Sequence, residues 1–590
     1  MRHLKVQGNE FYLNNEPIQL ISGGIHYFRV VPEYWEDRLV KLKACGFNCV
    51  ETYVPWNLHE PNEGRFDFSG LADIEAFIRI AERIGLYVIV RPSPYICAEW
   101  EFGGLPAWLL EDRNMRIRSY DTLYLEKVDN YYDVLMEKLR PLLHTNGGPI
   151  IAMQIENEYG SYGNDKAYLN YLKKAMKTRG IDVLLFTSDG PSALMLQGGT
   201  VDGILPTVNF GSRPRTQFPT LQKHFPGVPN MVMEFWNGWF DHWGEEHHTR
   251  NAQDVADTCR EMLEDGASMN FFMFHGGTNF AFWNGANHED GYQPTVTSYD
   301  YDSLLTESGD ITEKFLAVRA VIDAHTPLGE LVLPDPIPKK AYGKVELTKK
   351  VNLFDALETI SSKVQQTHPV PMEKLGQNYG YTLYRTFLQG PLETAPLTIQ
   401  EVRDRALIFV NGEYKGVIDR WENNTIDIAV PTEGAQLDIL VENMGRINYG
   451  SHMYDPKGIT EGVRFSHQFL FDWTIFPLPM DKLEKLPFKE ENLALTDEII
   501  RKDNISQPAF YKGTFRVKEV ADTFIYLPGW VKGFVVVNGF NIGRYWEIGP
   551  QETLYIPGPL LHEGENELVI FELHGTEKAT VSLIDYAKLG

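Results

Sequence analysis

The residues best suited to chemistry are carboxylates at the ends of apolar segments. The segment GGPIIAMQIENEYG carries Glu156 and Glu158 on either side of Asn157, and Glu234 ends the apolar run NMVM. Burying a carboxylate costs free energy unless a neighbour compensates it. One compensation is an ion pair at the rim of the fold. Two carboxylates among Trp and Tyr also suit hydrolysis of a glycosidic bond, in which one protonates the leaving oxygen and the other attacks carbon or activates water. Because side chains two apart in a strand share a side, spacing alone does not separate Glu156 from Glu158.

Up to residue 325, short apolar segments alternate with amphipathic helical patterns. Eight strands are predicted, in the segments IQLISGGIHYF, FNCVETYVPW, LYVIVRPSPYI, PIIAMQIENE, VLLFTSDG, VDGILPTVNF, NMVMEFW and MNFFMFHGG. Strands that are apolar throughout indicate a parallel sheet covered by helices, and eight such units predict a catalytic (β/α)₈ TIM barrel over residues 1–325. A doubly wound sheet is the alternative, but SGGIHYF is not the Gly-rich phosphate turn expected there. In a barrel, Glu99, Glu158 and Glu234 would meet at the carboxyl ends of the strands.

Beyond the barrel the pattern changes to strands with frequent turns. We expect a linker region over 326–380, a first β-sandwich of the jelly-roll kind over 381–485 and a second over 486–590. Two segments, 406–421 and 533–546, share an apolar strand, an Asn-Gly pair and a later Gly. Asn-Gly is the strongest short hairpin signal, so each segment is predicted to contain a hairpin.

Composition excludes several classes of function. The 590 residues carry 55 basic and 80 acidic side chains, a net charge of 55 − 80 = −25, which disfavours nucleic acid as a partner. Four cysteines do not make a disulfide scaffold. The sequence shows no apolar signal core and no membrane span, so we expect a cytoplasmic protein. His242, His247 and His248 are more typical of a solvated loop than of a metal site, and neither a metal nor a cofactor is expected.

Several segments carry a family resemblance. GGPIIAMQIENEY resembles the signature of the retaining β-galactosidases of glycoside hydrolase family thirty-five, and four further segments resemble its other landmarks: ETYVPWNLHEP, RPSPYICAEWEFGGLPAWL, GGTNFAFWNGAN and SYDYDSLLTESGD. The resemblance continues through GRINYGSHMYDPKGI into the C-terminal half. It implies galactose-binding-like sandwich domains, a bacterial intracellular type of enzyme, and a galactose-terminated oligosaccharide as substrate, and it allows a homodimer.

The resemblance also implies roles for individual residues. Glu158 matches the acid/base, Glu234 matches the nucleophile, and Glu156 is then a supporting residue. The residues that match the galactose pocket are Tyr53, Cys97, Ala98, Glu99, Asn157 and Tyr301. Phe272 stands where lysosomal relatives carry Tyr, which would remove one hydroxyl contact to the sugar.

Specificity beyond the galactose is a separate expectation. Trp239 and Trp243 follow the nucleophile, and Tyr454 could reach the same place from the first β-domain, so these three are candidates for the aglycone subsite. Some members of the family of this length favour β-1,3-linked galactose on N-acetylhexosamine, and the resemblance implies the same preference here. The alternatives are a barrel glycosidase for another β-linked sugar and a carbohydrate-binding protein with an inert barrel.

Overall fold

The computed structural model describes residues 2–329, 332–421, 424–490, 507–576 and 579–590. The chain begins with an antiparallel three-stranded sheet. Its strands are Leu4–Gln7, Glu10–Leu13 and Glu16–Ile18. Asn14 and Asn15 join the last two strands with φ of 56° and 72°, a left-handed conformation that Asn tolerates better than most residues.

Eight parallel strands then close into the predicted barrel, each paired with its neighbours in chain order. The strands β1 to β8 are Ile21–Ile25, Cys49–Tyr53, Tyr87–Arg91, Ile150–Gln154, Leu184–Asp189, Leu205–Phe210, Met231–Trp236 and Ser268–His275. All eight are almost wholly buried, which explains why their sequences are mostly apolar and do not alternate between apolar and polar residues.

A helix follows each barrel strand. The helices α1 to α8 are Trp35–Ala44, Ile74–Ile84, Thr122–Leu139, Lys166–Thr178, Ala193–Gly199, Pro214–His224, Ala252–Glu264 and Glu313–His325. Short helical turns lie at Trp56–His59 and Tyr159–Tyr162. The second helix is capped at both ends by residues suited to those positions. The Asp73 side chain accepts a hydrogen bond from the Ala76 N–H at its start, and Gly85 ends it with φ of 83°.

The first β-domain is a sandwich of a six-stranded and a four-stranded sheet. The larger sheet contains, in spatial order, Val364–Gln366, Trp473–Leu478, Tyr381–Leu388, Ala435–Glu442, Arg405–Val410 and Glu413–Asp419. The smaller contains Thr425–Val430, Leu392–Ile399, Val463–Phe465 and Gln468–Phe469. Two residue pairs, Val402–Arg403 and Gly458–Ile459, form a separate bridge.

The second β-domain is one nine-stranded sheet that encloses its own core. Its main path is Phe540–Trp546, Lys532–Val537, Gly564–Glu572, Ala509–Val517, Gly343–Asn352, Thr580–Ile584, Thr523–Tyr526 and Thr553–Ile556, and Lys489–Glu490 pairs beside it. Residues 491–506, which we expected to belong to this domain, lie outside the described residues.

The segment expected to be a linker contributes to this sheet. Strand Gly343–Asn352 lies inside 326–380 and pairs antiparallel with both Ala509–Val517 and Thr580–Ile584. Helix Leu353–Ile360 follows it and packs in the apolar layer between the two β-domains. The chain therefore enters the second β-domain before it builds the first.

Both predicted hairpins are present. Strand Arg405–Val410 turns at Asn411-Gly412, and Lys532–Val537 turns at Asn538-Gly539. In each pair both residues have positive φ, 51° and 77° in the first and 49° and 82° in the second. This is the backbone of a type I′ turn, which Asn-Gly adopts at low cost.

A short hairpin after β8 joins the barrel to the β-domains. Its strands are Ala286–His288 and Tyr292–Pro294. The Tyr292 hydroxyl donates to the Gly445 carbonyl at 2.6 Å. Nearby, the fully buried Arg446 reaches from the first β-domain to Glu101 of the barrel at 2.6 Å. These buried contacts fix the first β-domain against the barrel mouth.

Candidate active site

A cavity of about 370 Å³ opens at the carboxyl ends of the barrel strands. The predicted residues that line it are Tyr53, Cys97, Ala98, Glu99, Asn157, Glu158, Glu234, Trp239 and Tyr301, and Phe272 lies among them. Trp243 and Tyr454 do not line it. A pocket of this size with a few convergent polar groups is the kind of place where a small ligand binds.

Glu158 stands at the start of the short helix Tyr159–Tyr162, directly beyond β4. Its backbone is left-handed, with φ of 46°, and the Asn209 amide donates to its Oε1 at 3.0 Å. Burial and the negative charge of Glu234 raise the pKa of Glu158 to about 8, against the hydrogen bond from Asn209 and the charge of Arg91. A carboxyl group with this pKa is protonated at neutral pH and can act as an acid.

Glu234, the carboxylate on β7, is held by three donors. Arg91 Nη2 and the Tyr53 hydroxyl donate to its Oε1 at 2.6 Å and 2.8 Å. The Trp236 indole donates to Oε2 at 3.2 Å. These donors complement a negative charge and fix the carboxylate in one orientation. Oε2, which has a single weaker partner, is the oxygen better able to react.

Asn157 precedes Glu158 in the chain and shares the donors Tyr53 and Arg91 with Glu234. Its Oδ1 accepts hydrogen bonds from Arg91 and Gln154 at 2.7 and 2.8 Å, and from the Tyr53 hydroxyl at 3.0 Å, whose one proton it shares with Glu234. Its amide nitrogen donates to the Ile96 carbonyl at 3.3 Å. With Oδ1 held by three donors, the side chain has one orientation at the cavity wall.

Glu156 takes no part in the cavity. It is fully buried and forms a two-point ion pair with Arg118, at 2.9 Å and 2.8 Å. The Tyr168 hydroxyl donates to the same carboxylate at 3.1 Å. Arg118 also donates to the Asn157 carbonyl at 2.9 Å, so this ion pair braces the loop that carries Glu158.

The loop after β3 places three consecutive residues at the cavity in an unusual conformation. Cys97, Ala98 and Glu99 have φ of 59°, 56° and 49°, values that cost non-glycine residues free energy. The Ala98 carbonyl accepts from Arg29 at 2.5 Å, and the Glu99 carbonyl accepts from the Gly285 N–H at 2.8 Å. These hydrogen bonds hold the turn in its strained conformation. Backbone strain that is stabilised in this way is common at functional sites.

Glu99 is the third carboxyl group of the cavity. The Tyr299 hydroxyl donates to it, and the Arg29 guanidinium lies 3.7 Å from the centre of the Tyr299 ring. Burial raises the pKa of Glu99 to about 7, opposed by the hydrogen bond from Tyr299 and by the charge of Arg29. Its carboxylate can accept a hydrogen bond from a hydroxyl group in the cavity.

Aromatic rings form a further part of the cavity wall. The Phe272 ring lies 5.5 Å from that of Tyr301 and 6.3 Å from that of Tyr53, both edge to face. The Phe272 side chain thus fills its place by packing, without a hydroxyl to offer to a sugar. Tyr301 is left-handed, with φ of 61°, and almost wholly buried.

The three residues predicted for the aglycone subsite lie in three different places in the structure. Trp239 is 39% exposed at the cavity and stacks on Phe240 at 5.0 Å. Trp243 instead lies buried with its ring 6.4 Å from that of Trp546, because the second β-domain covers it. Tyr454 is exposed outside the cavity. The ring that the first β-domain does contribute to the cavity wall is Tyr449.

Sequence reasoning missed three residues that complete the site. Arg91 ends β3 and binds Glu234, Asn209 is the last residue but one of β6 and binds Glu158, and Tyr449 comes from another domain. A polar residue at the end of an apolar barrel strand was the available signal for Arg91 and Asn209. No local pattern indicates Tyr449, because its placement depends on domain packing.

The loop histidines are held by acids. His247 and His248 both contact the Asp241 carboxylate, at 2.7 Å and 2.9 Å, and His242 contacts Glu245 at 2.9 Å. Across the described ranges, no group of three His, Cys, Asp or Glu side chains is arranged to hold a metal ion. The four cysteines are unpaired and buried. In the same part of the chain, no helix is both long and apolar enough to cross a membrane.

Comparison with known proteins covers most of the chain. Residues 10–325 match the sequence model of the glycosyl hydrolases family 35. Residues 369–479 match the beta-galactosidase first all-beta domain, and residues 508–566 match the beta-galactosidase galactose-binding domain.

Curated relatives align along nearly the whole length. The beta-galactosidase of Bos taurus is 44% identical over 98% of this chain and 92% of its own. The beta-galactosidase of Homo sapiens is 44% identical over 96% of this chain and 86% of its own. Among solved structures, an exo-beta-1,4-mannosidase from Opitutaceae bacterium strain TAV5 overlaps with 55% of this chain and 62% of its own, at 14% identity and a TM-score of 0.40.

Proposed function

Because the chain belongs to glycosyl hydrolases family 35 and is a glycoside hydrolase of the β-galactosidase type, we propose that it removes single terminal β-galactose residues with retention of configuration. A galactose-containing glycan is the substrate class. The alternatives of another sugar and of an inert barrel do not fit the β-galactosidase relatives.

The proposed reaction has two steps. In the first, Glu234 Oε2 attacks the anomeric carbon, the bond from that carbon to the leaving oxygen breaks, and Glu158 gives its proton to that oxygen. In the second, water attacks the galactosyl-enzyme, Glu158 takes a proton from the water, and Glu234 is released as a carboxylate. Two inversions at the same carbon leave its configuration unchanged.

The observation that carries this proposal is the difference between the two carboxyl environments. Glu158 has few donors, lies beside another acid and has a pKa of about 8, whereas Glu234 accepts from Arg91, Tyr53 and Trp236. One group is prepared to donate a proton and the other to attack as an anion. Such a separation between neighbouring carboxyls is how one site supplies both an acid and a nucleophile.

We also propose exo action on the terminal sugar. Glu99, Asn157 and Tyr301 line the part of the cavity that we assign to the terminal galactose.

For the linkage we propose a preference for β-1,3-galactosides of N-acetylhexosamine. We assign the stacking on that second sugar to Trp239, which is exposed at the cavity, and to Tyr449, which lines the same cavity from the first β-domain. Initial rates on β-1,3, β-1,4 and β-1,6 galactosyl disaccharides test this preference directly.

We further propose that the β-domains mainly support the barrel. Residues 1–325 form the catalytic unit, 381–485 the first sandwich, and the second sandwich takes in the strand from the expected linker. A homodimer remains a prediction that light scattering can measure.

The experiment that tests the reaction follows the product by proton NMR. The β anomer of galactose should appear first and then equilibrate with the α anomer. Initial appearance of the α anomer would refute retention. Glu234→Gln should lower kcat by about a thousandfold or more, since it removes the nucleophile but keeps the shape, and the exposed Glu433→Gln is the matched control.

A further inference from the structure

The hairpin over residues 286–294 separates the catalytic cavity from a second concave surface. Its cross-strand pair Asn287 and Gln293 lines the cavity. The next pair, His288 and Tyr292, lines a groove of about 590 Å³ on the other side. Because side chains alternate along a strand, one thin hairpin forms a wall of both spaces.

The first β-domain supplies the opposite wall of this groove through residues 399–403 and 419–421. Trp421 is 38% exposed there. Its indole N–H donates to the Tyr292 carbonyl at 2.6 Å, and the two rings lie 5.7 Å apart. The hairpin thus fixes an exposed Trp ring at the groove, and such a ring can stack on the apolar face of a sugar.

Polar groups around the ring are already positioned. Arg403 contacts Glu401 at 3.2 Å and Asp455 at 2.9 Å, which holds its guanidinium at the groove. His288 stacks on His452 at 4.3 Å, and within the described residues its buried Nδ1 has no hydrogen-bond partner.

We propose that this groove is a distal subsite for neutral saccharide, which binds the sugars of the same glycan that follow the terminal galactose. The proposal rests on the proposed function, because a glycan whose end lies in the cavity and which leaves over the hairpin enters the groove beside Trp421. The carboxylates of Asp290, Asp419 and Glu401 line the groove together with the guanidinium groups of Arg403 and Arg420, so neither sign of charge dominates there, which suits a neutral glycan.

The kinetic test compares two substrates, a nitrophenyl β-galactoside and a galactose-terminated tetrasaccharide. In Trp421→Ala, the ratio of kcat/KM for the tetrasaccharide to kcat/KM for the nitrophenyl galactoside should fall by about tenfold, the order of one lost stacking contact. Phe471→Ala removes another exposed ring of the same domain and should leave this ratio unchanged.

Gln400→Trp provides an independent variant, since Gln400 is exposed at the groove and a bulky ring there should block it. An unchanged ratio in both Trp421→Ala and Gln400→Trp would overturn the proposal. If Trp421→Ala melts at a much lower temperature than the parent protein, the ratio in Gln400→Trp decides.

Calorimetry on Glu234→Gln then measures binding without turnover. The trisaccharide that lacks the terminal galactose should bind, and the added Trp421→Ala should abolish that binding. Binding that is equal with and without Trp421 would overturn the groove whatever the kinetics. Failure of the proposed function would appear differently, as a parent protein that cleaves no β-galactoside.

Discussion

At the scale of single residues, the loop after β4 gives adjacent acids opposite roles. Glu156 binds Arg118 in the interior, whereas Glu158 lines the cavity near Glu234. Strand β4 ends at Gln154, and both glutamates have positive φ. The alternation of an extended strand therefore no longer applies to them, which is why their spacing in the sequence could not separate the two roles.

Asn209 provides a test of the proton donor. Asn209→Ala removes the donor to Glu158 that opposes its raised pKa, so the pKa of Glu158 should rise further. Glu158 must be protonated to act as the acid, so kcat/KM of the parent protein should fall as pH rises through about 8. In the variant this fall should occur at higher pH. A fall at the same or lower pH would contradict the role of Asn209.

At the scale of elements, the eight strands and the two Asn-Gly hairpins could be predicted because each depends on local pattern. The strand Gly343–Asn352 was hidden in a Pro-rich region, and its partners lie far along the chain. The position of Trp243 outside the cavity lining could not be read from the sequence for a similar reason, since its ring lies 6.4 Å from that of Trp546 in the second β-domain. Both differences arise from contacts between distant segments, which local periodicity does not encode.

The buried ion pair behind the catalytic loop makes a prediction at this scale. Arg118→Met leaves the Glu156 carboxylate buried without its partner and should lower the free energy of unfolding by about 3–5 kcal/mol. The double variant Arg118→Met/Glu156→Gln should recover much of that loss, because no unpaired charge remains. Urea denaturation measures both. A double variant no more stable than the single one would show that lost packing of Arg118 dominates.

At the scale of the whole molecule, the β-domains complete the barrel mouth. Tyr449 lines the cavity from the first β-domain, and Arg446 joins that domain to Glu101. The order of the domains could be predicted from the change from alternating strands and helices to strands with frequent turns. The cavity wall that the barrel and the first β-domain share could not be predicted in this way. An active site that spans two domains also explains why a buried polar interface is kept between them.

Buried carboxyls give the whole fold a pH dependence. Burial raises the pKa of Glu51, Glu99 and Glu572 to about 7 and that of Glu158 and Glu307 to about 8. Between pH 6.5 and 8.5 the folded protein loses protons that the unfolded chain has already lost, so stability should decrease as pH rises. Fewer groups act in the opposite sense: buried histidines with lowered pKa do so as pH rises through about 6.5, and Lys532, whose pKa burial lowers to about 8, does so near the upper end of the range.

Melting curves across this range check the sign. Tm should decrease from pH 6.5 to 8.5, and it should decrease less in Glu307→Gln, which removes one buried titrating carboxyl outside the cavity. A Tm that stays constant or rises would contradict the account of these buried groups.

The assignment of Glu158 as the acid and Glu234 as the nucleophile is tested most directly with Glu158→Ala. The measurement is how the loss of kcat/KM in this variant depends on the leaving group of the substrate. On a galactosyl disaccharide, whose leaving oxygen needs a proton, kcat/KM should fall by about a hundredfold to ten-thousandfold. On a dinitrophenyl β-galactoside, whose leaving group needs no proton, kcat/KM should stay close to that of the parent protein. An equal loss on both substrates would contradict Glu158 as the acid.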